Sequence, residues 1–477
     1  MTCHQFGFEN PDGFAFCGRC GARLDAAPAA PSIDERLATI QQLKEAGDTA
    51  RRGGETAVAL ERYQQALALL DSAIMASSAA HHMQLVKQRF DILAERHSLW
   101  PSTDHPDRVE PDLQEMLTLA RRAGDGLRLS TAITTLARFY LNDGRGEPAR
   151  PLLEEAVSLL RTQSDRAGEA AVLADLARVN WRAGQFEGVA GALQRAHELR
   201  RHAGDPAGLA QSYFDLGLLY RDGLSQPFHA VNHFEKSLEF ARLTGDVELE
   251  TRDLIGLGVG WTRLGDAVRA RATLDQAQRK AAEIRSAEHM AWLLVAQAEA
   301  LRESGSAEAG RLSQHAVSAA TEQQRPDLEW NALAVHVMIG QAAGGWNHTL
   351  AALDRMQELE QGGGLHAYCP IWSSTLLART QLRLGQPGRA GEASTRAIGA
   401  LQAHGAAGVP LPQAILWARF EILSGANDPS AVQYLRQARE TLLTQANTIG
   451  DGALRAHFLR DVSINRAIGD DWARVHA

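Results

Sequence analysis

LARFYLNDGRGEPARPLLEEA, Leu136 to Ala156, carries the pattern that decides how this chain folds. Leu136 and Ala137 come first, Tyr140 follows, Gly144 interrupts, and Ala149, Leu153 and Ala156 complete the set. The same order returns in LGLLYRDGLSQPFHAVNHFEKS, Leu216 to Ser237, with one residue inserted in its turn, and in LGVGWTRLGDAVRARATLDQA, Leu257 to Ala277. Small residues at the second, fifth and seventh of these places let two antiparallel helices approach closely, and the large apolar ones fill the space between neighbouring hairpins. Glycines that separate one helix from the next recur at Gly144, Gly184, Gly223, Gly265, Gly305, Gly344, Gly385 and Gly425, spaced 39 to 42 residues apart. The chain is therefore read as an array of helical hairpins.

This pattern resembles the tetratricopeptide repeat, over residues 36–470 and about ten hairpins. The resemblance implies an all-α fold, a right-handed superhelical solenoid with a period of about 40 residues. It also holds at Gly54, Ala59, Tyr63 and Ala66, and at Leu377, Ala378, Gly385, Ala390 and Ala397. It is weaker over 290–360, where Gly310 and Thr349 fall near the small-residue place. Between Gly54 and Gly144 there is room for one more hairpin, turning at WPSTDHPDRVEP, Trp100 to Pro111. The helix ends LARRAGD (119–125), RRHAGD (200–205) and ARLTGD (241–246) each supply cations, a glycine stop and an aspartate N-cap for the next helix. Repeats of this length look like those of large bacterial ATP-dependent regulators and multidomain adenylate cyclases. No phosphate-binding loop, cyclase domain or helix-turn-helix accompanies them here, and the resemblance implies a sensory or docking module.

Composition agrees with a helical array. Only 6% of residues are aromatic, and runs of β-branched residues are scarce. The net charge of −8, spread without long single-sign blocks, gives no reason to expect nucleic acid or a membrane surface as partner. The N-terminus lacks a basic and apolar leader, so a cytoplasmic location is expected. The apolar stretch Trp330 to Trp346, interrupted by Asn331, His336 and Gln341, reads as a buried helix, and Cys369 as a core residue. No nucleophile, base and acid grouping stands out, so neither an enzyme nor a small-molecule substrate is expected.

Residues 1–24 differ from the rest. Cys17 and Cys20, two residues apart beside Gly18 and Gly21, place two thiolates toward one ion. The stretch CHQFGFENPDGFAFCGRCGARL resembles a short bacterial zinc ribbon that is rich in paired cysteines. Cys3, Gly7, Glu9, Asn10, Pro11, Gly13, Phe16, Cys17, Cys20 and Gly21 match its pattern, and Phe6 stands where the second cysteine belongs. The resemblance implies one zinc site with an incomplete ligand set, Cys3, Cys17, Cys20 and His4; a ribbon that has lost its metal is the other reading. Residues 25–35, including DAAPAAPS, read as a linker, and 471–477 as a tail.

In the tetratricopeptide family the first helix of each hairpin lines a concave groove. The places one and five residues after the small residue that follows the leucine lie on that face, one turn apart. They hold Arg138, Arg178, Arg182, Arg263, Arg379, Arg383 and Arg419, with Arg52 matching in the first hairpin; Glu299 and Glu303 are the exceptions. Such a face suits an acidic peptide through guanidinium contacts, or else arginine simply serves as an exposed helix former. The expected function is a scaffold binding a protein or peptide in the groove. The alternative is a regulatory module in transcription or cyclic-nucleotide signalling whose ribbon contacts nucleic acid or another protein.

Overall fold

A computed structural model of the chain describes residues 2–3, 7–11, 14–24, 32–76, 79–302 and 306–477. His4, Phe6, Gly13, Glu303, Gly305 and the linker residues 25–31 lie outside the described residues. The chain divides into two compact units, Met1–Ala132 and Ile133–Ala477. Among the described residues there is no strand, only two isolated bridges, Thr2 with Glu9 and Phe16 with Arg23.

In the first unit, two knuckles of like geometry precede the helices. The Cys3 amide donates to the Phe8 carbonyl (2.9 Å) and the Gly7 amide to Cys3 (2.8 Å), as Cys17 does to Ala22 (2.7 Å) and Gly21 to Cys17 (2.9 Å). Gly7 and Gly21 both have left-handed backbone, φ +63° and +69°. Ser32 then caps α1 (Ile33–Arg52) in a capping box with Glu35, so the helix begins inside the expected linker. α1 packs on α2 (Thr56–Ala76), where the Tyr63 ring lies against Gly47 and its hydroxyl donates to Asp48 at 2.7 Å. α3 (Ala79–Arg96) and α4 (Val109–Ala123) follow, joined through two 3-10 turns, His97–Ser102 and Pro106–Arg108. Asp112 anchors this irregular turn by accepting from Trp100 Nε1 (2.8 Å) and from Arg96 (2.6 and 3.0 Å).

α5 (Gly126–Asn142) leads to the second unit, which continues with α6 (Gly146–Thr162), α7 (Arg166–Arg182), α8 (Val189–Ala203), α9 (Pro206–Leu218) and α10 (Pro227–Thr244). Next come α11 (Val247–Leu264), α12 (Ala267–Ile284), α13 (Ala287–Leu301), α14 (Ala307–Glu322), α15 (Pro326–Ala342) and α16 (Leu350–Gln361). The last six are α17 (Cys369–Arg383), α18 (Pro387–His404), α19 (Pro412–Gly425), α20 (Ala431–Asn447), α21 (Gly452–Arg460) and α22 (Ser463–His476). Successive helices from α7 to α20 pack as hairpins, giving an all-α array of tetratricopeptide type.

One buried triad, spaced by four and three residues, recurs on the second helices: Ala149, Leu153, Ala156; Val189, Leu193, Ala196; Ala230, Phe234, Ser237; Ala270, Leu274, Ala277. It continues as Ala309, Ser313, Ala316; Thr349, at the turn that opens α16, with Leu353 and Met356; Ala390, Ser394, Ala397; and Ala431, Leu435, Ala438. The register over 290–360 thus runs through Thr349, as the repeat spacing places it, with Gly340 of the facing helix against it, and through Ala309, the neighbour of Gly310. Phe234 shows how tight the fit is: a Cβ on Gly217 would lie 2.6 Å, and one on Gly256 2.9 Å, from its ring.

Gly144, Gly184, Gly265, Gly344 and Gly385 turn in the left-handed region, as the repeat spacing implies. Gly223 instead ends a π turn, Leu219–Gly223, and Ser225 takes the left-handed place at φ +52°; beyond Gly425, Asn427 does so at +54°. Asp205 and Asp246 cap α9 and α11 as expected, by accepting from Gly208 and Leu249 amides. Cys369 is buried. The expected tail 471–477 carries the end of α22, because buried Asp471 accepts from Trp417 Nε1 at 2.8 Å.

The second unit closes on itself. One hydrophobic cluster joins Phe234, Leu257 and Leu274 of α10–α12 to Phe420, Leu435, Phe458 and Ile468 of α19–α22. Backbone bonds tie its two sides, from Ala367 to the Arg182 carbonyl and from Gly408 to the Gly223 carbonyl, both 2.8 Å. Trp181 Nε1 donates to the Gly408 carbonyl at 3.4 Å, and the Ser225 hydroxyl accepts from the Leu411 amide at 3.1 Å.

Asp253, on α11, is fully buried, and neither carboxylate oxygen has a hydrogen-bond partner, since the nearby Ser237 hydroxyl donates to the Ala210 carbonyl. Burial pushes its carboxyl up to about 8 from the ordinary 3.8. The unfolded chain releases this proton near pH 4 and the folded chain near pH 8, so folding stability falls as pH rises between them. Asp253→Asn should therefore melt above the wild type at pH 8, with the gap closing toward pH 4; equal gaps at both values in thermal denaturation would contradict this.

Candidate functional site

Two clusters concentrate chemistry. The first is the thiolate group of the first unit, where the Cys3, Cys17 and Cys20 sulfurs all lie within 4.8 Å of one another and Cys3 and Cys20 are 3.5 Å apart. A tetrahedral zinc ion with ~2.3 Å bonds needs sulfurs about 3.8 Å apart, so these three fit one ion. Backbone amides of Arg19 and Cys20, with the Asn10 side chain, favour the Cys17 thiolate and bring it down to about 6. Asn10 also accepts from the Gly18 amide at 2.9 Å, holding the two knuckles together. No fourth ligand lies among the described residues.

The second cluster is a cleft inside the closed second unit, formed by the first helices of successive hairpins. One part, about 500 Å³, is lined by Arg138, Asp175, Arg178, Arg200, Asp215 and Arg252. An adjoining part, about 440 Å³, shares Arg178, Trp181, Leu218 and Arg252 and adds Phe214, Trp292, Arg182, Asp327 and Tyr368. Residues 366 and 368, from the crossing loop before α17, form part of its wall.

Most arginines expected on this face meet carboxylates, four of them (Arg138, Arg263, Arg379 and Arg383) on the neighbouring repeat. Asp175 binds both Arg138 Nε and Arg178 Nη2 at 2.8 Å; Glu421 binds Arg379 at 2.9 Å and Arg383 at 3.1 Å. Arg263 donates to Asp222 (2.7 Å) and to the Arg221 carbonyl (3.0 Å), with Glu299 at 3.8 Å. Arg182 faces Asp327 at 3.6 Å, and burial lowers its proton affinity. Arg419 donates to the Thr395 hydroxyl (3.2 Å) and lies over the Tyr434 ring, while Arg52, on α1, donates to the Asp48 carbonyl (3.2 Å). The face is therefore one of alternating sign, with Arg138 and Arg178 about half exposed.

Arg221, Asp222 and Arg263 form an enclosed charge group beside the cleft. Burial raises the Asp222 carboxyl, but Arg221 at 2.6 Å and Arg263 overcome it and hold the group well below the usual range. Beside it, burial followed by the Arg182 charge pushes His366 down to about 4, and Tyr368 stacks on that ring at 5.1 Å. Trp181 meets His366 edge-on at 5.7 Å.

The sequence reading passed over Arg200, Asp215, Arg221 and Arg252. Asp215 and Arg252 lie on the same helical face as Asp222 and Arg263, two and three turns earlier, and extending the register N-terminally finds them. Arg200 reaches the cleft from a second helix, α8, for which the first-helix register gives no signal.

No protein-family model and no curated protein matches this chain. Among solved structures, it is similar to a Rap protein complexed with competence and sporulation factor, at 11% identity, over 72% of this chain and 99% of that one, with a TM-score of 0.49. It is also similar to a signal transduction ATPase with a tetratricopeptide repeat sensor from Pyrococcus horikoshii (16%, 72% and 53%, TM-score 0.43). A third likeness is yeast Tom70 (14%, 92% and 97%, TM-score 0.34). No ligand or activity is carried over from these matches.

Removing one side of an enclosed charge group leaves the other uncompensated. Asp222→Ala should cost about 3 kcal/mol or more in urea unfolding, against less than about 1 kcal/mol for the exposed Asp143→Ala.

Proposed function

We propose that the second unit is a protein-interaction scaffold that takes an extended segment of a partner into the cleft between α7, α9, α11, α13 and α15, acting by binding and not by catalysis. The observation that carries this reading is the joining of aromatic faces and guanidinium edges in one cleft: Trp181, Phe214 and Trp292 beside Arg178 and Arg252. Flat apolar faces take side chains of an extended chain, while nearby N–H groups fix its polar ones. Arg379, Arg383 and Arg419 bond Glu421 and Thr395 away from this cleft, and Arg182 and Arg263 face Asp327 and Asp222, so contact with an acidic ligand falls to Arg138, Arg178 and Arg252. No helix among the described residues is long and apolar enough to cross a membrane.

A displayed random-peptide library selected on the full chain tests this. A shared consensus is expected on the wild type, with binding weakened at least ~10-fold by Arg178→Ala with Trp292→Ala while the fold is kept. Failure to enrich any consensus on a folded wild type would sink the reading.

A second reading concerns the first unit: we infer that Cys3, Cys17 and Cys20 hold zinc, supported by their mutual fit to one ion. Zinc there would tie the two knuckles together and supply folding stability. Elemental analysis should find about one zinc per chain, falling below about 0.2 in Cys17→Ser/Cys20→Ser; a metal-free wild type purified without chelator overturns it.

A further inference from the structure

Arg200 is the anomaly of the cleft. Its side chain is buried at 8% exposure, and its one bond is from Nη1 to the Ser212 hydroxyl at 2.7 Å. No ion pair within 4.0 Å includes it, although the cleft it lines also holds Arg138, Arg178 and Arg252. A buried cation without a counter-charge is costly, and folded proteins pair such groups. Arg252 is likewise without an ion pair: its guanidinium lies 4.2 Å from the centre of the Phe214 ring, edge open to the cleft.

Asp215, in the same wall, does not supply the missing charge. It accepts from Gln211 at 2.8 Å and lies beyond ion-pair distance of all three arginines, Arg178, Arg200 and Arg252. Burial holds its carboxyl above the ordinary range despite those cations, so it offsets them only in part. Asp175 is already shared by Arg138 and Arg178.

We propose that Arg200, Arg178 and Arg252 form an oxyanion subsite, taking a carboxylate or phosphate group borne by the peptide in the cleft. The planar, multi-donor guanidinium suits either group. Binding supplies the direct ion-pair partner that Arg200 lacks, since Asp215, Asp205 and Asp175 act on it only from beyond 4.0 Å, so the ligand anion stabilises the folded state. This inference rests on the peptide reading of the same cleft and adds the group that anchors the ligand.

The test uses the full chain, with glutarate and inorganic phosphate as probes and chloride at equal ionic strength as reference, followed by thermal denaturation and titration calorimetry. The wild-type Tm is expected to rise with at least one probe; a response to glutarate assigns the subsite to carboxylates, and a response to phosphate alone to phosphorylated ligands. Arg200→Met is expected to melt about 2 °C above the wild type in chloride and to lose the response. Arg252→Met, which keeps contact with Phe214, carries the same expected loss of response should the first variant fail to fold. No wild-type response to either probe, or an undiminished response in a folded variant, overturns the proposal. Library peptides that lack acids and bind Arg200→Met as well as wild type overturn the subsite and leave the peptide reading standing. A lost probe response without any peptide consensus does the reverse.

Discussion

Two helices interlock closely where one of them presents no more than a methyl group, and most second helices of this protein carry alanine on both sides of the central residue of the buried triad. Ala149 and Ala156 flank Leu153, Ala270 and Ala277 flank Leu274, and Ala431 and Ala438 flank Leu435, all buried. Phe234 carries the idea furthest, with Gly217 on one side and Gly256 on the other. Because each hairpin contacts mainly its neighbours, such contacts set the small rotation from one hairpin to the next, and the sum of those rotations decides what the inner faces enclose.

In the second unit the rotations bring α19–α22 back against α10–α12. Inner faces that would look onto open solvent in a loosely wound array thus face one another and two crossing loops. Enclosure changes the meaning of every charge there. An exposed arginine needs no partner, but an enclosed one does, and the acids Asp175, Asp222, Asp327 and Glu421 meet that need. What is left over, around Arg200 and Arg252, is what a ligand can use.

Much of this was legible in the sequence because packing dictates residue type. The small and large places of 149–156, 230–237 and 270–277 could be read directly, as could the stops at Gly204 and Gly245 and the caps at Asp205 and Asp246. Where several small residues crowd one helix, as at Ala309 and Gly310, only contact with the neighbouring hairpin selects between them. The inner arginines were found by the same register. For Arg138 and Arg379 the partner lies one repeat away, Asp175 37 residues and Glu421 42 residues on, so a search for opposite charge at the repeat period would have paired them, whereas nothing at that period leads from Arg182 to Asp327. Closure had no local signal. Trp181 meets Gly408 across 227 residues, and nothing near either residue foretells the other.

That long-range seam alters how the molecule behaves as a machine for folding. Open repeat arrays gain stability hairpin by hairpin and can begin anywhere, with contacts close in sequence. Here α10–α12 leave the ribosome long before α19–α22, and their apolar edge stays uncovered in the interval. Completion is then a single late event that couples distant hairpins, so injury to the last helices is felt in the middle of the chain. The second unit trades the graded, modular melting of a solenoid for the all-or-none cooperativity of a globular domain.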